Sequence, residues 1–141
     1  MRDLLNQIHT SRAIAPVTTA ADNTPIVSQI IDTTGYDSLT FVIALGSIPD
    51  VDATFTVLVE HGNNSGLSDN TAVPDEMLVG TEALASFTFN DDNKTRKIGY
   101  IGDKKHVRLT ITPVNNTGAS LIAAIAIQGH PHYAPTANPP Q

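Results

Sequence analysis

The stretch "SLTFVIALG", residues 38–46, decides how this chain reads. Leu39, Phe41, Ile43 and Leu45 recur at every second position, with Thr40, Val42 and Ala44 between them. Successive side chains of a strand point to opposite faces, so this spacing puts four large apolar groups on one side of a strand. A helix would scatter the same residues around its axis. "ATFTVLVEHG" (53–62) repeats the pattern, setting Phe55, Val57 and Val59 against Thr54, Thr56 and Leu58. In "ASFTFN" (85–90), Phe87 and Phe89 alternate with Ser86 and Thr88.

Outward from these strands the pattern continues. Ile26 to Asp32 is a β-branched, apolar run opened by Pro25. "TRKIGYIG" (95–102) and "KHVRLTITP" (105–113) read as two strands of a hairpin joined at "GDKK", with Val107, Leu109 and Ile111 facing inward. "ASLIAAIAIQGH" (119–130) is the most apolar run and reads as a central strand buried on both sides. Clusters of Gly, Asn, Asp and Ser such as "TTGYD", "GSIPD", "HGNNSGLSDN" and "NNTG" separate the strands, as turns require. A short helical turn is expected near Pro74 to Leu78, and none of the connections holds a long helix.

Roughly eight strands in succession predict an all-β, single-domain antiparallel β-sandwich or jelly roll. Its expected core is Ile30, Phe41, Ile43, Phe55, Val57, Phe87, Phe89, Val107, Leu109, Ile111, Ile125 and Ile127. Two extended arms flank the domain, which is expected over residues 12–130. Residues 1–11 hold Leu4, Leu5 and Ile8 at helical spacing, but only about two turns of it, which is marginal in water. Residues 131–141 hold four of the nine prolines and read as a polyproline-type arm.

Composition sets the outer bounds. The 141 residues carry a net charge of −6, and only 16% are charged against 40% apolar. Length and apolar content are enough for one real core, and the low charge argues against disorder. Cysteine is absent, so neither disulfides nor thiolate zinc sites are available. The acidic balance makes nucleic acid an unexpected partner, since phosphate binding calls for a basic surface. No run nears the roughly 20 apolar residues of a spanning helix, so no membrane partner is expected. "MRDLLNQIHTSRAIAP" carries acidic Asp3 and lacks an apolar run of about seven residues, so no signal peptide is expected either.

Catalytic motifs are missing. There is no Gly-x-Ser-x-Gly, P-loop or dinucleotide fingerprint, and an enzyme is not expected. "HPH" (130–132) has the spacing of a paired-imidazole metal site, but no acidic residue follows His132. "GNNSGLSDN" and "NDDN" offer oxygen ligands without the spacing of a calcium loop. No metal or cofactor is therefore expected. The absence of Trp and the presence of only three Tyr weaken a carbohydrate-binding reading, which wants an aromatic platform.

The positive charge is concentrated: Lys94, Arg96, Lys97, Lys104, Lys105 and Arg108 make six of the eight Lys and Arg residues. Two readings stand. The cluster docks an acidic protein surface, or it is a solvated strand pair balanced by Asp91, Asp92 and Asp103 and guarding its edges with lysine.

The run of strands and turns through "SRAIAP", "IVSQIIDTTGYDSLTFVIALG", "DATFTVLVEHG", "LSD", "GTEALASFTFNDDNKTRKIGYIGDKKHVRLTITPVNNTG" and "IAAIAIQGHPHYAP" resembles a family of small virion structural proteins of tailed bacteriophages and prophages. The resemblance spans about residues 10–135, and Lys97 to Gly118 is its most specific part. It implies a virion structural role and carries over no catalytic residue. Small size, β-fold and acidic charge then lead us to expect a head decoration, or cement, protein on the capsid exterior. Such a protein is made in the bacterial host cytoplasm and binds the major capsid protein. Self-association, most simply as a homotrimer, is expected from the threefold axes of capsids. A head–tail junction, tail or spike protein, and a carbohydrate-binding module, are the alternatives. The expected partner contacts are Leu4, Leu5, Ile8, Lys104, Lys105, Arg108 and Tyr133.

Overall fold

In the computed structural model, which describes residues 2–140, the alternating segments are strands packed as two antiparallel sheets. In chain order they are β1 (Ile8–Thr18), β2 (Ile26–Val27), β3 (Ile31–Asp32), β4 (Tyr36–Leu45), β5 (Thr54–Gly62) and β6 (Thr71–Ala72). There follow β7 (Leu78–Val79), a four-residue helix α1 (Glu82–Ala85), β8 (Phe87–Thr88), β9 (Thr95–Tyr100), β10 (His106–Val114) and β11 (Leu121–Pro131). One sheet has the order β1-β11-β4-β9-β7, and the other β2-β10-β5-β6, with β3 also on β10 and β8 also on β5. Counting β2 with β3, and β6 with β8, as broken single strands, and setting aside the two-residue edge strand β7, leaves eight. The first sheet then runs first, eighth, third, sixth and the second runs second, seventh, fourth, fifth. That order is the doubled Greek key of a jelly roll.

The core lies between the sheets. Phe41, Ile43, Phe55, Val57, Phe87, Val107, Leu109 and Ile111 are buried as expected, and so are Leu39, Ile48 and Ile98. Phe55 and Phe87 stack with ring centroids 4.9 Å apart across the β5–β8 pair. An offset aromatic pair of this kind adds to the apolar burial of each ring.

Several expected positions move. The inner residues of β11 are Ile122, Ala124 and Ala126, while Ile125 points outward at 49% exposure and Ile127 is half-buried. Apolar residues occupy both faces of "LIAAIAI", so periodicity alone cannot fix its phase. Packing fixes it: Ala124 and Ala126 pair with Ile43 and Phe41 of β4, so small side chains sit beside large ones. Phe89 begins a 3-10 turn over Phe89–Asp91, capped reciprocally by Thr88 and Asp91, and this turns its ring out to 36% exposure. Ile30 falls between β2 and β3 and is half-buried; its neighbour Ile31 takes the core place. The break follows Ser28, whose hydroxyl accepts from the Leu109 N–H and draws the chain out of simple alternation.

The expected hairpin is also corrected. β9 pairs with β4 and β10 pairs with β5, so residues 101–105 cross from one sheet to the other. Tyr100 makes the crossing: its hydroxyl accepts from the Lys104 N–H at 3.0 Å and lies 3.3 Å from the Lys104 carbonyl. Gly102 is required here, because a Cβ would lie 2.5 Å from that hydroxyl.

The arms are shorter than expected. Residues 5–7 form one 3-10 turn, and from Ile8 the chain is already β1, with Ile8 to Ser11 opposite Gly129 to Ala126. Sheet pairing satisfies the backbone groups that a two-turn helix would leave at its ends. At the other terminus Pro131 is the last residue of β11, opposite Tyr36. The stretch after it bends back over β1 rather than running out as a straight rod.

Candidate functional site

Antiparallel pairing determines which termini and turns meet. β1 and β4 begin where β9 and β11 finish, and β10 begins where β5 finishes. One end of the sandwich therefore carries the N-terminal turn, the segment after β11, the 101–105 crossing, the 63–70 loop and the Thr33–Gly35 turn.

Hydrogen bonds fasten these pieces together. The Thr33 N–H donates to the Lys105 carbonyl at 2.8 Å, and its hydroxyl donates to the Lys104 and Lys105 carbonyls at 3.2 and 3.1 Å. The His132 N–H donates to the Gly35 carbonyl at 2.9 Å. Four residues further on, the Thr136 N–H donates to the Asn6 carbonyl at 3.1 Å and its hydroxyl to the Ile8 carbonyl at 2.6 Å. A chain of contacts thus runs from Lys104 and Lys105 through the β3–β4 turn to both termini.

Beneath the crossing, the buried His61 ring sets Nδ1 2.9 Å from the Tyr100 hydroxyl. Burial lowers the His61 pKa, with the Lys104 charge adding to the effect, and burial raises that of Tyr100. Both groups are therefore held in their neutral forms, which suits a buried structural contact. The 63–70 loop is held by Asp69, whose carboxylate accepts from the Asn63 and Asn64 N–H groups at 2.8 and 3.1 Å. Those two bonds lower the Asp69 pKa, Asn63 first. Its oxygens are thus turned to the loop's own backbone.

Of the expected contact residues, the structure brings six to this end. Leu4, Leu5 and Tyr133 are exposed at 65%, 61% and 89%, Lys105 is exposed, and Ile8 and Lys104 are half-buried. Arg108 does not join them. It lies on the outer face of the second sheet, where its Nη2 meets Glu60 at 2.8 Å. The basic cluster is also divided. Arg96 and Lys94 pair with Asp91 at the opposite end, Lys97 points outward from β9, and only Lys104 and Lys105 reach the arm-bearing end. Asp91 and Glu60 thus balance three of the six cations, and Lys104 and Lys105 stand at the arm-bearing end. The cross-strand pairing that separates them is a tertiary fact no local pattern carries.

His130 and His132 do not converge on a shared point: His130 Nδ1 lies 2.9 Å from the Ser38 hydroxyl, and His132 Nε2 lies 2.8 Å from Asp37. Among the described residues, no three His, Asp or Glu side chains gather as a metal site. Among the same residues, no helix is long and apolar enough to cross a membrane.

The sequence reading missed one further surface. The outer face of the first sheet presents Leu121, Ala123, Ile125 and Ile127 of β11 beside Val42 and Ala44 of β4. Its signal was present in the two-sided apolar character of "LIAAIAI", which was read as burial between two layers.

No family model matches the chain, and no curated protein matches it. Among solved structures it is similar to a structure of infectious bursal disease virus Gx strain, at 11% identity over 88% of this chain, with a TM-score of 0.47. The chain spans about a third (32%) of that protein's length. It is similar to the SPBc2 prophage-derived protein YomS at 12% identity, over 90% of this chain and 98% of that one, with a TM-score of 0.43. It is also similar to a family 35 carbohydrate binding module from an environmental isolate at 13% identity, over 88% and 93% of the two chains, with a TM-score of 0.44. Likenesses this distant carry no argument about function; the fold class rests on the chain's own two sheets.

Proposed function

We propose that the chain is a virion structural protein of a tailed phage, a decoration protein that docks on the major capsid protein lattice through its arm-bearing end. The observation that carries this reading is the set of bonds joining Thr136, Asn6, Ile8, His132, Gly35, Thr33 and Lys105, which gathers both termini and two lysines on one end. The family resemblance of the sequence supports the virion setting. Leu4, Leu5 and Tyr133 are the apolar anchors, and they gain most from burial against a partner because they are so exposed alone. Lys104 and Lys105 supply steering toward an acidic capsid surface, a contribution that fades with salt.

The test deletes residues 2–7 and 132–141 separately, leaving β1 and β11 whole, and measures occupancy on particles assembled without the protein. Each truncation is expected to stay folded and to lose most of its occupancy. Full occupancy by both truncations would assign attachment elsewhere. Binding confined to the head–tail junction, tail or spike would keep the virion role and move its place. Retention on a glycan array in place of particles would move the protein to the carbohydrate-binding class.

A further inference from the structure

The sandwich has two outward faces built with the same period and opposite chemistry. On the second sheet the outward residues include Thr54, Thr56, Thr110 and Thr112, and the charges of Glu60 and Arg108 are paired with each other. Single apolar residues, Val27, Leu58 and Val114, lie among these hydroxyls, so that face is mixed and mainly polar. On the first sheet the outward residues of β11 and β4 are Leu121, Ala123, Ile125, Ile127, Val42 and Ala44, with Leu121 and Ile125 about half exposed at 48% and 49%. No carboxylate occupies an outward position of β1, β11, β4 or β9 across this face. A contiguous apolar sheet face of this kind marks a contact with another protein.

Charge identifies the occupant. One cross-strand row reads Arg12, Ile125, Val42, Lys97, so a cation stands at each end of the apolar strip. Laying this face on the same face of a second copy with their strands aligned sets cation against cation, whether the in-plane twofold axis runs along the strands or across them. An isologous dimer through this face with aligned strands is therefore disfavoured. The chain carries a complementary surface elsewhere, at the β7 edge of the same sheet. There Val79, Leu84 and Ile101 are exposed at 57%, 72% and 56%, and the exposed acids Asp75 and Glu76 immediately precede β7. The acids at the start of β7 complement Arg12 beside the apolar strip, while Arg96, held by Asp91, and Lys97 line the other side of that edge.

We infer that this chain self-associates head to tail, the β7 edge of one copy seating on the Ile125 face of the next, with Asp75 and Glu76 meeting Arg12. A heterologous contact between two different patches closes into a ring when its rotation allows. Only the number of copies, three, rests on the capsid reading, through the threefold axes of a lattice. Self-association itself requires no particle, so its failure and that of capsid attachment are separable.

The experiment is sedimentation equilibrium on the full chain and its variants, each checked for a native β spectrum and melting curve. Wild type is expected to be a closed oligomer. Ile125→Asp is expected to be a folded monomer, and Thr56→Asp on the opposite face is expected to leave the oligomer intact. Arg12→Glu should raise the dissociation constant by roughly tenfold or more, and adding Glu76→Arg to Arg12→Glu should recover most of that loss. A monomeric wild type overturns the inference and leaves the face to another partner. An oligomer that survives Ile125→Asp overturns the surface, and failure of the charge swap to rescue overturns the pairing. Should Ile125→Asp not fold, the Arg12 and Glu76 pair decides the question alone.

Discussion

Phe41 and Phe55 are buried at 0% and 1% exposure, whereas Ile125, of the same apolar class, is 49% exposed. Truncating either phenylalanine to Ala should cost about 3–5 kcal/mol in denaturant unfolding, through lost burial and the cavity left behind. Ile125→Ala should cost well under about 1 kcal/mol in the unfolding of an isolated copy, because its outer half already meets water. Equal losses at Phe41 and Ile125 would place β11 in the wrong phase. Asp91 gives a pH prediction. Burial opposes its charge, but the Thr88 N–H, Arg96 and Lys94 outweigh burial, and its pKa is lowered. The unfolded chain therefore takes up the proton first as acid is added. The stabilisation from Asp91 is whole at neutral pH and drains away as pH falls below the ordinary carboxylate range toward the folded value. Urea midpoints followed from neutral to acid pH should fall, and Asp91→Asn should flatten that fall. An unchanged acid limb in the variant would remove Asp91 from the account.

At the scale of elements, the period-two strands were legible, since β4, β5 and β10 bury the residues their alternation assigns to the core. What pattern could not supply was pairing. "TRKIGYIG" and "KHVRLTITP" are adjacent strands in sequence, yet the Tyr100 hydroxyl bonded to Lys104 makes their link a crossing between sheets. Likewise "RDLLNQIHT" has helical spacing over too short a length, and the sheet claims it from Ile8. The candidate site was legible as residues and not as a place: Arg108 lies in the same basic run as Lys104, but Glu60 holds it on the second sheet. The crossing itself is testable. Tyr100→Phe leaves the Lys104 N–H and His61 Nδ1 without their shared partner, a loss of about 1–3 kcal/mol. Gly102→Ala should destabilise by overpacking against the Tyr100 ring, by about 1–3 kcal/mol. Relieving that clash by combining Gly102→Ala with Tyr100→Ala should give less than the sum of the two losses. Strict additivity in denaturant unfolding would show that the two residues do not meet.

At the scale of the whole molecule, three surfaces differ in chemistry. One end gathers both termini with Lys104 and Lys105, one sheet face is apolar between Arg12 and Lys97, and the other sheet face is threonine-rich with its charges paired. On the proposed reading, the subunit stands on the capsid by its end, packs sideways against its neighbours and shows its threonine-rich face to water. The central claim is attachment by the arm-bearing end. Its most direct test is a side-chain-resolution reconstruction of capsids to which the purified full-length protein has been added back. The account predicts that Leu4, Leu5, Lys104, Lys105 and Tyr133 are buried against the major capsid protein while Thr56 and Thr112 face solvent. A particle that holds the protein by its threonine-rich face, with Tyr133 and the two lysines open to water, would contradict it.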